Sequence, residues 1–181
     1  MAVVTISASY AAGGSEIGPR VAERLGVAFI DRIVPVSVAK ELGITVEEAE
    51  AVAQDAPGRL WSLFAGMSLM PGYLATVGSA DQIANERQLI EMTENQVRQI
   101  AEAGSCVILG HAAAIVLADR QDALHVRLDA AVEGRINAAM AQHGITRNAA
   151  AKAQKQNDKL RTGYVQHFYR CDPASSKLYH L

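Results

Sequence analysis

Residues 3–26, VVTISASYAAGGSEIGPRVAERLG, run from a β-branched apolar stretch through a turn of small residues into an amphipathic helix. VVTIS at 3–7 is apolar without alternation, which predicts a strand covered on both faces. From Glu16 onward Ile17, Val21, Ala22 and Leu25 recur at helical spacing, and Gly26 is placed to stop the helix. A strand that passes directly into a helix pairs most naturally with a parallel neighbour, and VAFID at 27–31 supplies the candidate.

The rest of the chain repeats this alternation. A long amphipathic helix is predicted over 81–103, with Ile83, Leu89, Ile90, Val97 and Ile100 on its apolar face and Gly104 as its stop. CVILG at 106–110 reads as a third buried strand, a short helix follows at 112–117, and ALHVRLD at 123–129 reads as a fourth strand. AVEGRINAAMAQHG and TRNAAAKAQKQNDKLRTGYVQHFYR are two helices joined at Gly144 and Ile145, and SSKLYHL reads as the start of a fifth strand. Strands alternating with helices over short loops argue for an α/β fold built on a parallel sheet with helices on both faces.

Composition limits what such a fold does. A chain of 181 residues, half of them hydrophobic, fits one domain with a substantial core. A net charge of −2 provides no global basic field, which argues against extended nucleic-acid binding. The N-terminus has no basic leader and no apolar run reaches the roughly 18 residues of a membrane span, so the expectation is a cytoplasmic protein without a membrane partner. Cys106 and Cys171 form no metal-ligand spacing and are expected as free thiols.

Between 34 and 80 the pattern is less regular. Two helical stretches are predicted, the second opened by a capping box of Thr45 and Glu48. The following segment carries Trp61, Phe64, Met67 and Met70, read first as the core of a small helical subdomain and second as an apolar lining for a ligand or partner.

The turn at 8–15 is the candidate site. In a phosphate-binding loop successive backbone N–H groups face a concavity, and the following helix presents its positive end there. Laid on the pattern G-x-x-x-x-G-K-[ST], residues 8–15 place Ala8 at the first glycine, Gly13 at the second, Gly14 at the lysine and Ser15 at the hydroxyl that holds Mg²⁺. The lysine is absent, so on this pattern alone an empty glycine turn stays open as a reading.

Several blocks, in order, resemble the cytidylate kinase-like family among nucleoside monophosphate kinases, whose first loop reads approximately SREYGSGGREIG and is itself without lysine. SASYAAGGSEIGPRVAERLGVAFIDR is similar to that loop, its helix and the second strand. NQVRQIAEAGSCVILGHAAA is similar to the third strand with its GRCA-like turn, and VRLDAAVEGRI to the fourth strand and following helix. NDKLRTGYVQHFY is similar to a lid helix of the form RDKxRxxYYxxxYG, and DPASSKLYHL to DPxxYDLxLNT.

The resemblance implies a P-loop kinase fold with a five-stranded parallel sheet. Its core would be 1–33 and 81–130, its helical monophosphate-binding insertion 34–80, its lid helices 131–172, and 173–181 the start of the last strand. It implies ATP and Mg²⁺ as cofactors and a nucleoside monophosphate, CMP first, as acceptor; a homodimer is compatible with it. Ala11, Ala12, Gly13, Gly14, Ser15 and Glu16 would hold the ATP phosphates through their amides, with Ser15 also on the metal. Arg135, Arg161 and Asp158 would be catalytic, while Asp31, matching the acid of YDR, and His111 would face the acceptor. Phosphoryl transfer is mostly positioning and charge neutralisation, so the arginines matter directly.

Several positions depart from the family, and most remove charge. Ala8 replaces the arginine of SREYG and Ala11 its glycine; His111 replaces the arginine of the GR turn, Ala114 an acid, Asn157 the arginine of RD, and His180 an acid. A neutral imidazole or amide does not reproduce a bidentate guanidinium contact. Two functional readings therefore stand: an active monophosphate kinase, and a catalytically impaired homologue that senses nucleotide or binds a partner. A scaffold with an empty loop is a third. A protonated His111 doing an arginine's task would make activity rise below about pH 6.5. Among the remaining residues, His125 is expected as a core histidine, and Tyr10 is expected to pack beneath the loop rather than stack on a base.

Overall fold

The computed structural model describes residues 2–31 and 80–181. The chain divides into two compact units, residues 1–31 with 100–181, and residues 32–99. In the first unit β1 is Val3–Ala8, α1 Gly14–Leu25 and β2 Ala28–Ile30. Helix α2, Ala80–Ala103, belongs mostly to the second unit and leads into β3, Cys106–Leu109. There follow α3 (Ala113–Val116), β4 (Ala123–Leu128), α4 (Val132–His143), α5 (Arg147–Tyr169) and a 3₁₀ turn at Ser176–Leu178. The insertion expected over 34–80, with its capping box and its Trp61, Phe64, Met67 and Met70 segment, lies outside the described residues apart from Ala80.

The sheet has the order β2-β3-β1-β4 and every pairing is parallel. Val3 sits opposite both Cys106 and Ala123, and Ile6 opposite Leu109 and Val126. The unalternating apolar composition of β1 has the expected cause: Val3, Val4, Thr5 and Ile6 are all buried, so both faces are covered. Val4, Ile6, Val107 and Ala22 form one core cluster, into which Val21, Val27, Phe29, Leu109, Val126 and Leu128 pack. Burial of such branched side chains, about 1.5–3 kcal/mol each, is what holds α1 to the sheet.

Glycines punctuate the elements as the sequence suggests. Gly26 ends α1 with φ 64 and its N–H on the Ala22 and Glu23 carbonyls, and Gly144 ends α4 with φ 61. These are left-handed caps, where a side chain costs about 1 kcal/mol or more. Helix α5 opens on Thr146, whose hydroxyl accepts from the Ala149 amide.

One expectation is corrected. The described residues hold four strands, not five. Ser176–Leu178 turns as a 3₁₀ helix, leaving only the last residues extended. His180 donates its amide to the His125 carbonyl at 2.7 Å, and Arg127 donates to the Leu181 carbonyl at 2.9 Å, so the tail follows the outer edge of β4 without the length of a strand. His125 is buried as expected and bonded through Nδ1 to the Thr5 hydroxyl at 2.7 Å. Its ring stacks on that of His180, centroids 5.2 Å apart, and its amide donates to His180 Nδ1.

Candidate nucleotide-binding site

The loop between β1 and α1 leaves the sheet at its C-terminal edge, where ligands of parallel α/β sheets collect. Ser9 donates its amide to the Leu128 carbonyl, and the Ala12 amide returns to the Ser9 carbonyl at 3.0 Å, closing a tight turn. Ala11 has φ 55 and Gly13 φ 85; both are left-handed, which turns successive peptide groups in the way an anion-binding concavity requires. The amides of Ala11, Gly13, Gly14 and Ser15 have no hydrogen-bond partner among the described residues, and neither has the Ser15 hydroxyl. They stand at the N-terminus of a 12-residue helix, where the backbone carries partial positive charge. Glu16 is different: its amide donates to Gly13, and its exposed carboxylate accepts from Gln142 Nε2 at 2.7 Å.

Gly14 explains the missing lysine. A Cβ at this position would lie 2.8 Å from the Ala8 Cβ and 3.0 Å from Leu109 Cδ1. The methyl of Ala8, where the general pattern has glycine, occupies the space that a side chain at 14 would need. The two departures from the pattern are therefore one steric arrangement, invisible when each is read separately. The positively polarised groups around the loop are backbone amides and the arginines of neighbouring elements.

Those arginines approach from the β4 side. Arg135, in the first turn of α4, is buried and donates Nη1 to the Tyr10 carbonyl at 3.2 Å and to Asp158 Oδ2 at 2.7 Å, and Nε to the Ala130 carbonyl at 3.0 Å. Asp158, on α5, also accepts from the Tyr10 amide at 3.1 Å and from Gln154. Arg161, one turn further along α5, donates Nη1 to the Ala8 carbonyl. Its pKa is pushed down by desolvation and by the nearby Arg127 and Arg135 guanidiniums, against the pull of Asp158. Three guanidiniums thus share one field with two carboxylates, Asp158 and Asp129. Asp129 lies 3.7 Å from both Arg127 Nη2 and Arg135 Nε. Burial opposes ionisation of Asp129, but the Ser9 hydroxyl, the Ala130 amide and the two arginines outweigh it and hold the pKa down. Tyr10 packs with Ala11 against Ile136, Ala139 and Ala150 of the α4–α5 pair.

Asp31 and His111 meet on the other side of β1, at the ends of β2 and β3. His111 Nε2 lies 3.2 Å from the Asp31 carbonyl; a carbonyl only accepts, so Nε2 carries the proton. Burial lowers the His111 pKa, which the Asp31 carbonyl and charge only partly offset. The imidazole is therefore neutral at pH 7 and does not reproduce an arginine's charge. Gly110, His111 and Ala112 have φ 81, 56 and 52, three left-handed residues in a row. Two non-glycine residues held in this way cost about 1–2 kcal/mol each, strain of the kind that accumulates at functional sites. Of the other departures, Ala114 is buried, and Asn157 turns its amide back onto the Ala153 carbonyl of its own helix.

The sequence pattern of the cytidylate kinase-like family matches residues 3–181. The chain belongs to the cytidylate kinase-like family. Among solved structures, an uncharacterized protein from Eubacterium ventriosum superposes with a TM-score of 0.66 at 15% identity, covering 99% of this chain and 85% of that one, which shows a shared fold. A shikimate kinase from Acinetobacter baumannii aligns at a TM-score of 0.46 and 14% identity, covering 99% of this chain and 81% of that one. One from Bacteroides thetaiotaomicron aligns at 0.41 and 13%, covering 95% and 83%. Comparison with curated proteins gives no match. Within the cytidylate kinase-like pattern, the residue that sequence reasoning passed over is Arg127. It hid in an apolar strand, and the available signal was a charge at the C-terminal end of β4, beside the loop.

Proposed function

We propose that the chain is an ATP-dependent nucleotide kinase that transfers a phosphoryl group to a nucleoside monophosphate, with CMP as the first acceptor to test. The observation that carries this reading is the set of four unbonded loop amides, Ala11, Gly13, Gly14 and Ser15, at a helix N-terminus beside an excess of guanidinium charge. These groups would receive the ATP phosphates, while Ala12 and Glu16, whose amides are bonded within the loop, would shape the turn, and the Ser15 hydroxyl would hold Mg²⁺, which when bound neutralises phosphate charge. Arg161 would stabilise charge on the transferred group through its Nε and Nη2, which have no partner among the described residues. Arg135 and Asp158 would act by fixing the loop through Tyr10. Asp31 and His111 would face the acceptor, His111 as a neutral hydrogen-bonding group.

A second reading, nucleotide binding with little turnover, is favoured by the commitment of Arg135 and Asp158 to each other and by the neutrality of His111. Calorimetry with ATP and CMP, with and without Mg²⁺, combined with a coupled ADP-release assay across the monophosphates, separates the readings. Saturable ATP binding with acceptor-dependent ADP release supports the kinase; ATP binding without release supports the sensor. Absence of ATP binding refutes both.

A further inference from the structure

The Arg127 side chain has four ties, among them Asp129 Oδ2 at 3.7 Å, and no part in the reaction described above. Its Nη2 donates to the Ser9 hydroxyl at 3.2 Å, and its Nη1 donates to the Pro173 carbonyl at 2.8 Å. The same carbonyl accepts from the Tyr179 hydroxyl at 2.8 Å, and the guanidinium lies over the Tyr179 ring, 5.8 Å from its centroid. Ser9 is the residue at which β1 passes into the loop, and its carbonyl closes the turn onto the Ala12 amide. Its position therefore sets the direction in which the following amides point.

We propose that Arg127 is a positioning residue for nucleotide binding: through Ser9 it fixes the start of the phosphate loop against the Pro173–Tyr179 segment, which keeps the amides of Ala11, Gly13, Gly14 and Ser15 aimed at one point. The guanidinium suits this task. It is planar and donates in fixed, diverging directions to two partners, whereas a lysine ammonium is a compact charge without that rigid fork. The side chain is mostly withdrawn from solvent, 22% exposed, which limits competition from bulk water for both bonds. Its charge is also felt at Arg161, which places it in the field that a bound polyphosphate enters. This role rests on the nucleotide reading of the loop.

The test is the dissociation constant of ATP, and of inorganic pyrophosphate as a base-free probe, measured by calorimetry on the full chain with Mg²⁺. Wild type is compared with Arg127→Leu, Arg127→Lys, Ser9→Ala and the Ser9→Ala/Arg127→Leu double variant, with melting temperatures recorded for each. Loss of charge-assisted bonds that orient the loop should weaken both ligands about tenfold in Arg127→Leu. Arg127→Lys should recover only part of that, and Ser9→Ala should weaken binding several-fold. The double variant should bind as Arg127→Leu does, because both changes break the same link. Arg127→Leu that melts lower but binds within twofold of wild type would overturn the role, since the residue would then be structural only. Additive losses in the double variant would overturn it too, because Arg127 would act on the ligand directly. If Arg127→Leu fails to fold, Ser9→Ala, which deletes one hydroxyl, carries the decision: unchanged affinity overturns the proposal. Wild type that binds neither probe refutes the nucleotide reading together with this one, whereas binding with unaffected variants refutes this one alone.

Discussion

Substituting Gly14 by alanine tests the steric origin of the lysine-free loop. The added Cβ would stand 2.8 Å from the Ala8 Cβ and 3.0 Å from Leu109 Cδ1. Leu109 can rotate its terminal methyl, but the Ala8 methyl is attached directly to β1 and yields only if the strand moves. Overpacking of this kind costs about 1–3 kcal/mol. The replacement of glycine also returns about 0.4–1 kcal/mol by restricting the unfolded chain. The net expectation is a loss of about 1–2 kcal/mol, a drop of roughly 2–8 °C in melting temperature for a chain of this size. Ala8→Gly alone should also destabilise, by about 1 kcal/mol, through lost burial of one methyl and added strand entropy. Combined, the two should be less harmful than their sum, by about 1 kcal/mol, because the shorter of the two close contacts no longer exists. Thermal and urea denaturation of the four proteins supply the cycle. A Gly14→Ala protein as stable as wild type, or strict additivity in the double variant, would refute the argument that Ala8 and Gly14 are one arrangement.

Three further outcomes follow from the site. Arg135→Leu should cost about 3 kcal/mol in urea denaturation, near the lower end for breaking a buried pair because Asp158 keeps the Tyr10 amide and partial solvent contact; a loss below about 1 kcal/mol would show that the arginine is not a structural tie. Arg161→Ala should depress turnover far more than nucleotide affinity, measured by the coupled assay and calorimetry together; an unchanged rate would remove it from the mechanism. His111 and His125 both have pKa values lowered by burial, so the unfolded chain binds protons more readily than the folded one. Their stability contribution is complete above about pH 6.5 and declines as pH falls toward the folded-state values. Melting temperature measured from pH 8 to 5 should therefore fall on the acid side, with a shallower slope in His125→Gln; an equal slope would refute the assignment.

Much of the architecture was legible because its signals are local. Unalternating apolar runs marked β1 and β3, the mostly apolar ALHVRL marked β4, and Gly26 and Gly144 marked helix ends at which the structure shows left-handed caps. The loop was legible from Gly13 and Gly14, and its arginines from their place in family-like blocks. What sequence could not reveal depends on distance in space. The Ala8–Gly14 contact joins residues across a turn, Arg135 meets Asp158 from a different helix, and Arg127 reads, like His125, as a polar interruption in a mostly apolar strand until Ser9 and Pro173 are seen beside it. The fifth strand failed as a prediction because the short run after Ser175 resembles a strand whether or not it is extended, and the 3₁₀ turn takes up Ser176, Lys177 and Leu178.

The tail that lies along β4 has one more consequence. A border strand with open amides and carbonyls is a template on which another molecule can extend the sheet. Here the His125 carbonyl and the Arg127 amide are already satisfied by His180 and Leu181. The reciprocal bond from the His125 amide to the His180 ring secures this cover with a side chain as well as with backbone. His180 and Leu181 thereby occupy part of the flank that intermolecular pairing would use, and that cover depends on how firmly an imidazole holds its place.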